Sequence, residues 1–184
     1  MGQAFLLTGR PGVGKTTVIQ TVVAHWPARA GGFYTEEVRE GKRRTGFRLI
    51  TLDGQKGMLA SVDTSSRYHV GKYGVDLHDL ERIGVSALRR AMEQPHISVI
   101  VIDEIGKMEL FSQAFREAVQ AALASPKPIL ATIMAAPHPW TDAIKARPDV
   151  LLVEVTHANR QRLPERIVRW LESERQDVLF DVKT

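Results

Sequence analysis

The stretch Gly9-Arg10-Pro11-Gly12-Val13-Gly14-Lys15-Thr16-Thr17 constrains this chain more than any other. It fits the pattern G-x-x-x-x-G-K-[ST], with Gly9, Gly14, Lys15 and Thr16 at the fixed positions. Glycines let such a loop curl until successive backbone N–H groups converge on one anion, and the following helix adds the positive end of its dipole. Lys15 then reaches the β- and γ-phosphates of a nucleotide, and the Thr16 hydroxyl is a ligand for Mg²⁺. The flanks suit that reading. Gln3-Ala4-Phe5-Leu6-Leu7-Thr8 reads as a short buried strand, and Val18, Ile19, Val22, Val23 and Trp26 fall on one face of a helix. A glycine-rich turn with an ordinary surface lysine has no need of that strand–loop–helix frame.

A chain of 184 residues is long enough to bury a real core and is most simply one domain, 1–184. It has no cysteine, so disulfides and thiolate metal sites are excluded, and a reducing, cytoplasmic setting is the simple expectation. No apolar run has the length of a membrane span, and the apolar start lacks the charged flank of a signal peptide. The net charge of +4 suits an acidic ligand; nucleotides satisfy it, and nucleic acid is not required.

Beyond the first helix, Gly31-Gly32 interrupts the pattern. The runs 33–39 and 46–52 then read as two strands around the polar turn 40–45, an antiparallel hairpin. A third strand is expected at 58–62 and a short one at 68–70. Leu77, Leu80, Ile83, Ala87, Leu88 and Ala91 recur at helical spacing. The β-branched run 97–102 lacks alternation, which suits a parallel strand covered on both faces. Phe111, Phe115, Ala118, Val119, Ala122 and Leu123 mark the next helix, 128–134 and 150–155 are further strands, and a closing helix starts near Pro164. Strands alternating with helices predict an α/β fold: a mostly parallel sheet with helices on both faces and the hairpin as an antiparallel addition.

The long β-branched strand leads into Asp103-Glu104. An acid carried to the carboxyl end of a strand beside a phosphate loop can hold Mg²⁺ through water, the role expected of Asp103. Glu104, one residue on, can orient and deprotonate a water aimed at the γ-phosphate. A carboxylate so placed favours hydrolysis; the plainer alternative is a strand ending in two solvated acids.

Asp103-Glu104-Ile105-Gly106-Lys107-Met108-Glu109-Leu110-Phe111-Ser112 resembles the signature of the cancer-related nucleoside-triphosphatase family, also described from thermophiles. The stretches 32–39 and 43–47 resemble its hairpin motif, the loop 9–17 matches as well, and Asn159-Arg160 extends the likeness to about residue 165. The resemblance implies a RecA-like P-loop fold with an extra strand between the loop strand and the strand of Asp103. It also implies slow, Mg²⁺-dependent hydrolysis of nucleoside triphosphates to diphosphates, tolerant of the base, with Asn159-Arg160 beside that base. A guanidinium stacking on a base face would be permissive, because stacking does not read the hydrogen-bonding edge. Asn159 could instead cap a turn, and Arg160 could be a surface arginine in a run with Arg162. The segment 135–147 and the charged tail 172–184 fall outside the likeness.

Other residues carry two readings each. Arg39, Lys42, Arg43, Arg44 and Arg48 form either a solvated hairpin tip or a source of an arginine finger, Arg39 or Arg44, facing the triphosphate. An RNA-contacting ribbon is a third reading, against which no aromatic residue interleaves the tip cations. Thr132 lies near the end of the strand expected beside the loop strand, where it would sense the γ-phosphate or bond to backbone. Lys107 could pair with Glu104 or phosphate, or stand in solvent. The rival to a triphosphatase is a nucleotide or small-molecule kinase on the same scaffold; a monomer is the simplest assembly.

Overall fold

The apolar runs assemble into one sheet whose two faces are covered by helices from the segments between and after its strands. The computed structural model describes residues 3–26 and 28–181. Its elements are β1 (Ala4–Thr8), α1 (Lys15–His25), β2 (Arg29–Glu40), β3 (Arg43–Thr51), β4 (Lys56–Ser61), β5 (His69–Val70) and β6 (Tyr73–Val75). A helical stretch follows, α2 (Leu77–Asp79), a π-turn (Leu80–Val85) and α3 (Ser86–Glu93). The chain continues through β7 (Ile97–Ile105), a 3₁₀ turn (Glu109–Phe111), α4 (Gln113–Ala124), β8 (Ile129–Ile133), α5 (Pro139–Lys145), β9 (Val150–Glu154) and α6 (Leu163–Asp181).

The sheet order is β5-β6-β4-β3-β2-β7-β8-β1-β9. From β2 to β9 every pairing is parallel, and from β2 to β5 every pairing is antiparallel. The expected architecture is therefore present, with an antiparallel wing larger than one hairpin. β8 lies between β1 and β7, the extra strand that the family resemblance implies. One face carries Leu88 and Ala91 of α3 with Phe115, Val119 and Leu123 of α4. The other carries Val18, Ile19 and Val22 of α1 with Ile167 and Leu171 of α6.

Several boundaries differ from the sequence pattern. β2 runs through Gly31-Gly32 instead of starting after it. Gly32 has φ +110°, and an ideal Cβ there would stand 2.0 Å from the Val101 carbonyl oxygen. Gly32 thus admits a close approach of β2 to β7, and Gly31 admits α3, where a Cβ would stand 2.8 Å from Ala91 Cβ. The hairpin turn is only Gly41-Lys42, because Glu40 pairs with Arg43 and Arg39 with Arg44, and Thr45 is passed over at a bulge. Phe111, placed by its periodicity on the apolar face of α4, belongs to the preceding turn and is 38% exposed. α4 starts instead at the N-cap Ser112, whose Oγ accepts from the Phe115 amide at 3.0 Å. The tail expected from 172 is helix as far as Asp181, and 182–184 lie outside the described residues. No helix among the described residues is long and apolar enough to cross a membrane.

Candidate active site

Parallel strands bring their carboxyl ends to one edge, and β1, β7 and β8 deliver the loop 9–17, Asp103 and Thr132 there. The loop packs tightly on the exit of β9. Val155 donates its amide to Thr8 at 2.8 Å, and an ideal Cβ at Gly9 would come within 2.8 Å of the Val155 carbonyl oxygen. That contact and a φ of +139° both require glycine at position 9. α1 begins at Gly14 with no side-chain cap and no acidic residue in its first turn. Its leading N–H groups are thus left for an anion. Lys15 lies along the same loop, its Nζ donating to the carbonyls of Gly9 (3.1 Å) and Arg10 (3.4 Å). Arg10, Pro11 and Gly12 are exposed or bent outward as the loop crest, while Val13 tucks into the core beneath.

Asp103 is 1% exposed and is approached from two elements. Thr16 Oγ1 donates to its Oδ2 at 2.7 Å, and Thr132 Oγ1 donates to its Oδ1 at 2.5 Å. Burial raises the Asp103 pKa, against the hydrogen bonds of Thr132, Thr16 and the Thr35 amide and the charge of Lys15. The register between β7 and β8 slips between Ile102 and Ile105, a bulge that redirects the chain where the acids stand. Glu104 is half-buried; burial and the charge of Asp103 raise its pKa, and Lys15 opposes them. The side-chain groups gathered here, the Asp103 carboxylate and the Thr16 and Thr132 hydroxyls, are oxygens, the set that suits a hard cation such as Mg²⁺. Thr16 and Asp103 would hold it.

Glu109 belongs to the signature stretch 103–112 but has no role assigned from the sequence, where an acid in a loop reads as solvated. It is 4% exposed, and burial together with the charges of Glu104 and Asp103 pushes its pKa up to about 8. An ideal Cβ at Gly106 would lie 3.0 Å from Glu109 Oε2 and 3.3 Å from Glu104 Cδ, so the two carboxyl groups flank one Cα.

Of the remaining candidates, Thr132 is neither free nor bonded to backbone: its hydroxyl is spent on Asp103. Lys107 is exposed. Arg39 donates through Nε and Nη2 to Glu37 Oε2 at 2.9 and 2.6 Å; Arg44 reaches Glu37 Oε1 at 2.6 Å and Tyr73 Oη at 3.1 Å. The hairpin tip is therefore not a freely solvated cluster. One carboxylate clasps both arginines. Asn159 caps a turn, accepting from the Thr156 amide and donating to the Glu154 carbonyl, both at 2.8 Å. Arg160 is half-buried on the loop, with Nη1 donating to the Val13 carbonyl at 3.3 Å. Thr17 faces solvent on α1.

A family model described as NTPase matches residues 4–168. The nucleoside-triphosphatase THEP1 of Thermotoga maritima is 49% identical over 170 residues, covering 92% of this chain and 96% of the relative. The human cancer-related nucleoside-triphosphatase is 40% identical over 190 residues, covering 96% and 100%. The crystal structure of THEP1 from Aquifex aeolicus superposes with a TM-score of 0.83 at 40% identity, over 92% of this chain and 99% of that one. The loop, the buried acid at the end of β7 and the strand between them thus coincide with a relationship running along nearly the whole chain, which belongs to the nucleoside-triphosphatase family of the THEP1 and cancer-related proteins.

Proposed function

We propose that this protein hydrolyses nucleoside 5′-triphosphates, ATP and GTP among them, to the diphosphate and phosphate, with Mg²⁺ and with little preference for the base. The observation that carries the reading is the Thr16–Asp103 hydrogen bond of 2.7 Å at the foot of the loop, with Glu104 one residue away. The loop amides 9–17 and Lys15 bind and orient the triphosphate. Lys15 leaves its carbonyl partners for the β- and γ-phosphate oxygens, which offer a charged acceptor in their place. Bound Mg²⁺, held by Thr16 and Asp103, would neutralise phosphate charge. Glu104 takes the proton of the attacking water as its oxygen bonds to the γ-phosphorus and the bond to the bridging oxygen breaks. Its raised pKa brings it nearer neutrality, where a general base is most effective.

The relatives are named for hydrolysis, which speaks against the kinase alternative. A cytoplasmic setting suits a chain without cysteine, and a monomer is the simplest assembly. Initial rates of phosphate release from ATP, GTP, CTP and UTP test the proposal. Glu104→Gln should bind nucleotide yet turn over roughly 10²–10⁴-fold more slowly, and Lys15→Ala should be inactive. Full activity of either variant would overturn the assignment of roles.

A further inference from the structure

Three separate segments meet at the same sheet edge as the phosphate loop, on the antiparallel wing. Arg44 of the hairpin bonds to Tyr73 Oη at 3.1 Å and lies over the Phe47 ring, 4.9 Å from its centroid, which ties the hairpin tip to the β5–β6 ribbon. Tyr68, just before that ribbon, packs against Phe111 from the turn after β7, with ring centroids 5.2 Å apart. Phe111 is 38% exposed and Tyr68 half-exposed, so the pair presents aromatic surface to solvent. The tip cations that lack interleaved aromatics in sequence acquire them in space.

Charge gathers at the same place. Arg67 lies over the Tyr68 ring at 5.0 Å and Lys72 over Tyr73 at 5.4 Å. Glu37 is consumed by Arg39 and Arg44, whereas Lys42, Arg43, Arg67 and Lys72 have no ion pair among the described residues. Glu40 and Asp63 are exposed acids of this edge and offset part of that charge, leaving it positive. An exposed aromatic pair is a poor fit to a solvated tip, because aromatic surface in water is unfavourable unless something covers it. Aromatic faces flanked by arginine and lysine are the means by which proteins hold unpaired bases and their phosphates.

We propose that this edge is a docking surface for single-stranded nucleic acid: Tyr68 and Phe111 stack on bases, and Arg67, Lys72 and the tip cations follow the backbone. Phe111 and Glu109 share one 3₁₀ turn, the first facing outward and the second buried beside Glu104, so a bound strand would lie next to the triphosphate site.

Fluorescence anisotropy of a labelled oligouridylate of about 15 nucleotides, with the full chain and no nucleotide present, tests the surface apart from hydrolysis. Binding is expected at low salt and should weaken steeply as salt rises. Phe111→Ala should weaken it roughly tenfold through lost stacking, and Arg67→Glu should weaken it further while reducing its salt dependence. Neither residue belongs to the phosphate site, so triphosphate hydrolysis should persist in both variants and report that they are folded. No anisotropy change at low salt would overturn the proposal, as would equal affinity in wild type and both variants. A duplex bound as tightly as the single strand would remove the stacking role. Equal competition by polyglutamate would point to an acidic protein instead and overturn the nucleic-acid assignment.

Discussion

Thr132 Oγ1 donates to Asp103 Oδ1 across 2.5 Å, from the strand that lies between the loop strand and the acid's own strand. With Thr16 on the other oxygen, the carboxylate is fixed before any ligand arrives. A buried acid held by few donors loses much when one is removed, because the remaining charge stays desolvated.

Thr132→Val should therefore lower stability by about 1–3 kcal/mol and raise the Mg²⁺ concentration needed for half-maximal hydrolysis, while Thr132→Ser stays close to wild type. Thermal melting and a Mg²⁺ titration of phosphate release check the two halves. An unchanged Mg²⁺ requirement in the valine variant would remove Thr132 from the positioning of Asp103.

Glu109 gives a pH signature. Its carboxyl keeps its proton up to about pH 8 when folded and loses it near 4.5 when unfolded. Between those values the native state binds more protons, so stability from this group falls as pH rises. The loss grows by ~1.4 kcal/mol per pH unit across the window and levels off above it. Glu109→Gln retains an oxygen acceptor for the backbone amides and has no proton to lose. The variant should match wild type near pH 4.5 and gain on it steadily towards pH 8 in melting experiments. A constant difference across that range would mean that Glu109 ionises normally.

What was legible in the sequence was whatever is specified locally. The loop 9–17 is set by residue spacing, and Asp103-Glu104 by its position after the β-branched run 97–102. The alternation of strands and helices gave the class of fold. Gly31-Gly32 misled because a glycine pair marks a turn or a close strand contact equally well, and only the position of Val101 decides between them. Glu109 and Phe111 exchanged their expected environments: the acid is buried and the aromatic exposed, a consequence of the 3₁₀ turn that precedes α4. The clasp of Arg39 and Arg44 on Glu37 depends on pairing across the hairpin, as does the approach of Tyr73, whose short strand has no periodicity to reveal it.

That clasp sharpens the finger hypothesis. If either arginine serves the triphosphate, it must leave Glu37, and the Coulombic hold of one carboxylate on two exposed guanidinium groups is weak enough to allow it. Arg39→Ala or Arg44→Ala should then lower kcat with little change in KM, and Lys42→Ala should do neither. Glu37→Gln should leave kcat intact or raise it, since the arginines are freed. Equal small effects at all three cations would make the clasp purely structural.

Arg160, which the family resemblance sets beside the base, lies half-buried against the phosphate loop. Its turn is fixed by Asn159, whose side-chain oxygen accepts from the Thr156 amide and whose side-chain nitrogen donates to the Glu154 carbonyl. The Arg160 guanidinium bonds to the Val13 carbonyl through Nη1, leaving its planar face as the surface for stacking. Asn159→Ala should act indirectly, by loosening the turn at a cost of about 1 kcal/mol, and so reduce stability and raise KM together. Arg160→Ala should raise KM for purine and pyrimidine triphosphates alike, by roughly tenfold for a lost cation–π contact, with kcat less affected. Steady-state kinetics on ATP, GTP, CTP and UTP separate the possibilities. A loss confined to one nucleotide would show that Arg160 reads a base edge, and no change with any of them would leave it as a brace for the loop at Val13.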